Sequence, residues 1–195
     1  LLKLKEIDSA IESYDQAIKI NPNYAEAYYN RGNALSEFHN LEEAINSYDQ
    51  AIKINPNYAE AYNNRGNALI KLKQTKLAAK SYEEAIKIKP DLKFLLGSIF
   101  HTKQSMCNWK SYEKDLKILI QKIIDGHKVS TPFNTLSFFD SLKLQRISAE
   151  KWVKDKFPSI NTLGPIPKRT INKKIRIGYY SADYYEHATS FLIAE

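Results

Sequence analysis

Apolar positions in the first half of the chain recur at helical spacing, with Ile11, Tyr14, Ala17, Ile18 and Ile20 on one stripe. The whole pattern then repeats. Residues 41–74 set beneath residues 7–40 match at 24 of 34 positions without a gap. A looser copy follows at 75–108, where SYEEAIKIKP replaces SYDQAIKINP. The anchors Tyr14, Tyr48 and Tyr82, Ala17, Ala51 and Ala85, and Pro22, Pro56 and Pro90 keep the same interval. A fixed period of this size predicts a solenoid, in which each unit buries its apolar face against its neighbours. Residues 1–20 read as the tail of one unit, closed by Asn21-Pro22-Asn23. Helix pairs are predicted at 24–37 with 41–54 and at 58–71 with 75–88, antiparallel because the connections are short.

Beyond Pro90 the pattern degrades. Phe94, Leu95, Leu96, Ile99 and Phe100 still predict a helix over 93–105, which Met106-Cys107-Asn108-Trp109 breaks. Leu116, Ile120 and Ile123 mark a helix over 112–124, Thr131-Pro132-Phe133 opens a turn, and 149–157 reads as a short helix carrying Trp152. Residues 161–173 hold Gly164, Pro165 and Pro167 and read as a linker. Lys174–Tyr180 is β-prone, followed by the polar loop Ser181–His187 and a helix start at Thr189 or Ser190, either of which can cap it. Strand, loop and helix in that order open an α/β nucleotide-binding domain, where ligands sit at the carboxyl ends of the strands.

The domains expected are therefore repeats over 1–92, a helical adaptor over 93–160, a linker over 161–173 and the start of an α/β lobe over 174–195. The missing Met at residue 1 and the end at Glu195, inside an apolar helical pattern, read as a fragment cut at both ends.

Charge sharpens this division. Residues 1–92 carry 12 basic and 13 acidic side chains, and residues 93–195 carry 17 and 9, within a net charge of +7. The densest cluster is Lys168, Arg169, Lys173, Lys174 and Arg176. It is rich in Lys and surrounded by no nucleic-acid motif, so it reads as a solvated linker and not as a nucleic-acid site. The lone Cys107 excludes an internal disulfide and suits a reducing cytoplasm. His39, His101, His127 and His187 are too scattered for a metal site, and no run approaches the ~20 apolar residues of a membrane helix.

Two rows of asparagine carry the candidate chemistry of the repeats. Asn30 and Asn64 hold the sixth position of their units, and Asn33 and Asn67 the ninth. Both rows fall in the first helix of each pair, on or near the concave face. Asn is a middling helix former, so propensity does not account for it there. A carboxamide has a donor and an acceptor, and so can grip a peptide backbone without reading its side chains.

The unit resembles the tetratricopeptide repeat: its aromatic, Gly, Ala, aromatic, Ala and Pro positions fall on Tyr28, Gly32, Ala44, Tyr48, Ala51 and Pro56, then on Tyr62, Gly66, Ala78, Tyr82, Ala85 and Pro90. The later segments resemble the O-linked N-acetylglucosamine transferase and SPINDLY family of glycosyltransferases. The frame Arg176, Ile177, Gly178, Tyr179, Ser181, Asp183, His187, Thr189 and Ser190 carries that likeness. It implies a mainly α fold: a tetratricopeptide-repeat superhelix, a helical adaptor and the first strand-loop-helix of a glycosyltransferase lobe. It also implies transfer of a sugar from a nucleotide-sugar, UDP-N-acetylglucosamine above all, to Ser or Thr of an acceptor protein. Asn30 and Asn64 would match the family's asparagine ladder that holds the acceptor, with Asn33 and Asn67 beside them as acceptor-binding candidates. GDP-fucose or UDP-glucose is the alternative donor. His187 would be the active-site histidine, and its imidazole suits a general base. Asp183 would orient it or cap the next helix. The diphosphate-gripping residues of the family lie in a second lobe absent from this sequence, so the chain alone would be inactive. The reading from another class is a repeat scaffold that binds a partner protein and performs no chemistry.

Overall fold

The computed structural model describes residues 2–157, which fold entirely as helices and turns. The linker, strand and loop expected over 161–195, with Asp183 and His187, lie outside the described residues. In chain order the described helices are α1 (Leu2–Ile20), α2 (Ala25–Glu37), α3 (Leu41–Ile54), α4 (Ala59–Lys71), α5 (Thr75–Ile88), α6 (Leu95–Ser105), α7 (Tyr112–Ile124), α8 (Pro132–Phe138) and α9 (Leu142–Lys156).

Packing follows the repeat. Helices α2 with α3, and α4 with α5, form the pairs expected, and α3 against α4 joins one pair to the next. Tyr48 and Tyr82 are buried to within 2 % of full coverage, each lying across a glycine of the paired helix. A Cβ on Gly32 would stand 2.6 Å from the Tyr48 ring, and one on Gly66 would stand 2.5 Å from the Tyr82 ring. Only glycine allows that approach. Ala44, Ala51, Ala78 and Ala85 are fully covered on the facing helices.

The turns between paired helices repeat as faithfully as the side chains. His39, Lys73 and Cys107 all adopt left-handed backbone, with φ of 60°, 60° and 53°. In each turn the following amide reaches back to close the helix: Asn40 N–H to Leu35 O at 2.9 Å, Gln74 to Leu69 at 2.8 Å, and Asn108 to Lys103 at 2.9 Å. The same turn thus recurs at the repeat interval and carries into α6–α7, where the consensus residues are gone.

Helix α6 is the hinge between two cores. Its Leu95 and Ile99 pack with Leu69, Tyr82 and Ala85 of the repeats. Its Leu96 and Phe100 pack with Leu119, Ile123, Phe138 and Phe139. The loop after α7 crosses the start of α6, where Phe94 N–H donates to Lys128 O (2.6 Å) and Gly97 N–H to Val129 O (2.8 Å). A Cβ at Gly97 would lie 2.8 Å from the Ser130 Cα, so glycine is required at this crossing too. Asp155 of α9 fastens the group by ion pairs to Lys128 (2.5 Å) and Lys93 (2.8 Å).

Two expectations need correction. Thr131-Pro132-Phe133 begins a helix and not only a turn: Thr131 Oγ1 accepts from Asn134 N–H, and Pro132 occupies the first helical position. The helix expected at 149–157 begins earlier, at Leu142. Only Leu144 and Ile147 of its first turns meet the core, while Leu142 is 82 % exposed, so its apolar stripe is incomplete.

Candidate functional site

The concave faces of α2, α4 and α6 bound a groove of about 650 Å³. Asn33, Asn64, Asn67, Ser98 and His101 line it, and Thr131 and Asn134 at the start of α8 stand at one end. Asn33, Asn67 and His101 occupy the same position of successive units, as do Asn64 and Ser98. Asn30, also in that second row, is half-buried but is not among the groove-lining residues.

The asparagines are oriented from below. Tyr48 Oη donates to Asn33 Oδ1 at 2.9 Å, and Tyr82 Oη to Asn67 Oδ1 at 2.8 Å. Burial pushes both phenols far above their ordinary pKa, so they stay protonated and remain donors. A second link joins the units: Asn64 Nδ2 donates to Asn33 Oδ1 at 2.8 Å and to Tyr29 Oη at 3.2 Å. Asn64 Oδ1 in turn accepts from Asn63 Nδ2 at 3.2 Å. Asn64 therefore spends both its protons inside the protein. The amide protons of Asn33 and Asn67 meet no protein acceptor among the described residues and are left to the groove.

The asparagines thus divide in a way that their types alone did not reveal: Asn33 and Asn67 are pinned donors, Asn64 links the units, and Asn30 stands outside the groove lining. The tyrosine pins were also missed, although Tyr48 and Tyr82 each stand 15 positions beyond their asparagine. His101 extends the row, and its Nδ1 is buried without a partner among the described residues. Charge is sparse, with Lys71 and Glu37 on the lining. Among the described residues no group of His, Cys, Asp or Glu could hold a metal ion, and no helix is long and apolar enough to cross a membrane. The chemistry on offer is two fixed carboxamide donors, Asn33 and Asn67, in a lining that is mostly polar.

A repeated ion pair holds these helices in register. Arg31 of α2 reaches Asp15 on α1 (2.6 Å) and Ser47 Oγ on α3 (2.7 Å). Arg65 of α4 does the same with Asp49 (2.7 Å) and Ser81 (3.3 Å). Burial raises the Asp49 pKa, and the Arg65 guanidinium opposes that rise.

Comparison with known proteins agrees with this architecture. A family model described as the TPR repeat matches residues 1–37 and 40–73, and one described as the tetratricopeptide repeat matches 59–92. Tetratricopeptide repeats are therefore present in this chain. No functionally curated protein matches it. Among solved structures, the TPR domain of Arabidopsis OM64 is similar at 28 % identity, covering 53 % of this chain and 86 % of that one, with a TM-score of 0.51. YrrB, described as a TPR protein with an unusual peptide-binding site, is similar at 25 % identity, covering 57 % of each chain, with a TM-score of 0.53. The first TPR of Spaghetti (RPAP3), solved with the HSP90 peptide SRMEEVD, shares the fold at 24 % identity over 54 % of this chain and 84 % of that one, with a TM-score of 0.52.

Proposed function

We propose that these tetratricopeptide repeats hold an extended segment of a partner protein along the groove, as a protein-binding module. The observation that carries this is the pinning of Asn33 and Asn67. Each has its acceptor oxygen fixed by a buried tyrosine and its N–H donors turned to the groove. Backbone carbonyls of an extended chain are the acceptors that such spaced donors suit, and they recur whatever the side chains. The peptide-binding site named for YrrB supports this use of the fold. An acidic ligand such as SRMEEVD is not the kind expected, because Lys71 and Glu37 leave the lining without net positive charge.

The test uses substitutions that keep the tyrosine acceptor and remove the donors. Peptides are selected on the protein from a random displayed library, and their affinities are measured by calorimetry against Asn33→Asp with Asn67→Asp. Loss of two hydrogen bonds predicts weakening by about tenfold or more. Unchanged affinity would remove the reading.

A second reading is favoured by the frame Arg176–Ser190, which resembles the start of a glycosyltransferase lobe. In it the groove presents an acceptor protein, a nucleotide-sugar such as UDP-N-acetylglucosamine is the donor, and His187 with Asp183 serves the transfer. Full-length gene product is incubated with labelled UDP-N-acetylglucosamine, UDP-glucose or GDP-fucose and lysate protein. Label transfer that disappears in His187→Ala is the expected outcome, and no transfer from any donor leaves the binding module alone.

A further inference from the structure

The ion pair that joins successive repeats is broken once, and a cavity stands at the break. At the first two junctions an acidic residue, an arginine and a serine follow one another at fixed spacing: Asp15, Arg31 and Ser47, then Asp49, Arg65 and Ser81. At the next junction the same three positions hold Glu83 on α5, Ile99 on α6 and Asp115 on α7. The acid is retained and the serine has become a second carboxylate, while isoleucine stands at the arginine position and Lys103, one turn further along α6, pairs with Asp115 alone.

All three residues line one cavity of about 260 Å³, whose apolar wall is Ile86, Leu96 and Phe100. Asp115 is held by Lys103 (2.6 Å) and Ser111 (2.7 Å), and these contacts lower its pKa against the opposing effect of burial. Glu83 forms no ion pair among the described residues. With Lys103 counted, the lining keeps one uncompensated negative charge. The protein's own repeats show which group fits between these helices, because a guanidinium bridges the equivalent positions twice.

We propose that this cavity binds an arginine side chain carried by a partner protein. The guanidinium would lie between Glu83 and Asp115, with its aliphatic stem on Leu96 and Ile99. A planar fork can address two carboxylates at once, which an ammonium, as a point charge, does less well. This site involves none of the groove-lining side chains and does not depend on the groove's function.

The probe is the blocked tripeptide acetyl-Gly-Arg-Gly-amide, titrated into the isotope-labelled protein and followed by amide chemical shifts. The arginine peptide should saturably shift resonances of α5, α6 and α7. Its lysine and citrulline counterparts should bind about fivefold more weakly or less, and Glu83→Gln should weaken the arginine peptide by about fivefold. Ile99→Arg restores the residue of the earlier repeats and fills the space between the carboxylates, so it should abolish binding. Equal binding of citrulline or lysine, shifts confined to the groove, or no saturable shift would each overturn the proposal. So would undiminished binding to a folded Ile99→Arg protein. Should that variant not fold, the three peptides and Glu83→Gln decide the matter.

Discussion

Asp155 shows how one side chain can fasten a group of helices. Its side chain is 12 % exposed and lies against two lysines from different segments, Lys93 ahead of α6 and Lys128 ahead of α8. Hydrogen bonds from Lys128 and then Lys93 bring its pKa down to about 2. An unfolded aspartate titrates near ~3.9, so the folded state favours the charged form. The ion pairs therefore stabilise the fold fully above the unfolded value, and the contribution is lost as pH falls through the folded one. Asp155→Asn should lower the denaturant midpoint at pH 6, and the difference from the unaltered protein should close as the pH approaches 2. Chemical denaturation followed by circular dichroism across that range checks this, and a difference independent of pH would show that charge is not the cause. Nothing in the sequence joined Asp155 to Lys93 or Lys128, which lie 62 and 27 positions away. The asparagine rows, by contrast, were visible from their interval alone. Their division of labour was not, because it depends on which oxygen a buried tyrosine reaches.

At the scale of the helix, legibility tracked repetition. Helices α2 to α5 were readable because each apolar stripe occurs again one unit later, so a weak local pattern is confirmed by its copy. The turn residues were less readable. His39, Lys73 and Cys107 take a left-handed backbone that usually selects glycine or asparagine, and their side chains give no such signal. The position is imposed by helices that must fold back on each other at a fixed distance, so tertiary packing outweighs local preference. Helix α8 was hidden for another reason. It has seven residues, and Phe133 and Leu136 are 77 % and 61 % exposed, so its pattern names no single buried face. The cap that starts it, Thr131 with Pro132, was the usable clue. The loss of consensus in α6 did not end the repeat architecture: Leu95 still enters the repeat core, and the turn after α6 keeps the backbone of the earlier ones.

The last repeat core and the core of α6–α9 meet on α6, and this arrangement bears on how stability is shared. In a stack of units that touch only their neighbours, stability sums over units and interfaces, and damage can stay local. Leu119 of α7 belongs to the core of α6–α9 and is fully buried, whereas Leu95 of α6 enters the repeat core. Truncating either to alanine should cost roughly 2–5 kcal/mol, as cavity-forming substitutions do. The consequences should differ in place. Leu119→Ala should increase amide exchange in α7, α8 and α9 while α2, α3 and α4 keep most of their protection. Leu95→Ala should loosen α5 and α6 together, because it removes the plug at the interface between the cores. Hydrogen exchange measured helix by helix separates these outcomes. If Leu119→Ala lowers protection in α2 as much as in α9, the described helices unfold as one cooperative unit. The groove and the α8 residues at its end would then be stabilised together. If protection divides at α6, the part of the groove lined by Thr131 and Asn134 can open while Asn33 and Asn67 stay in place.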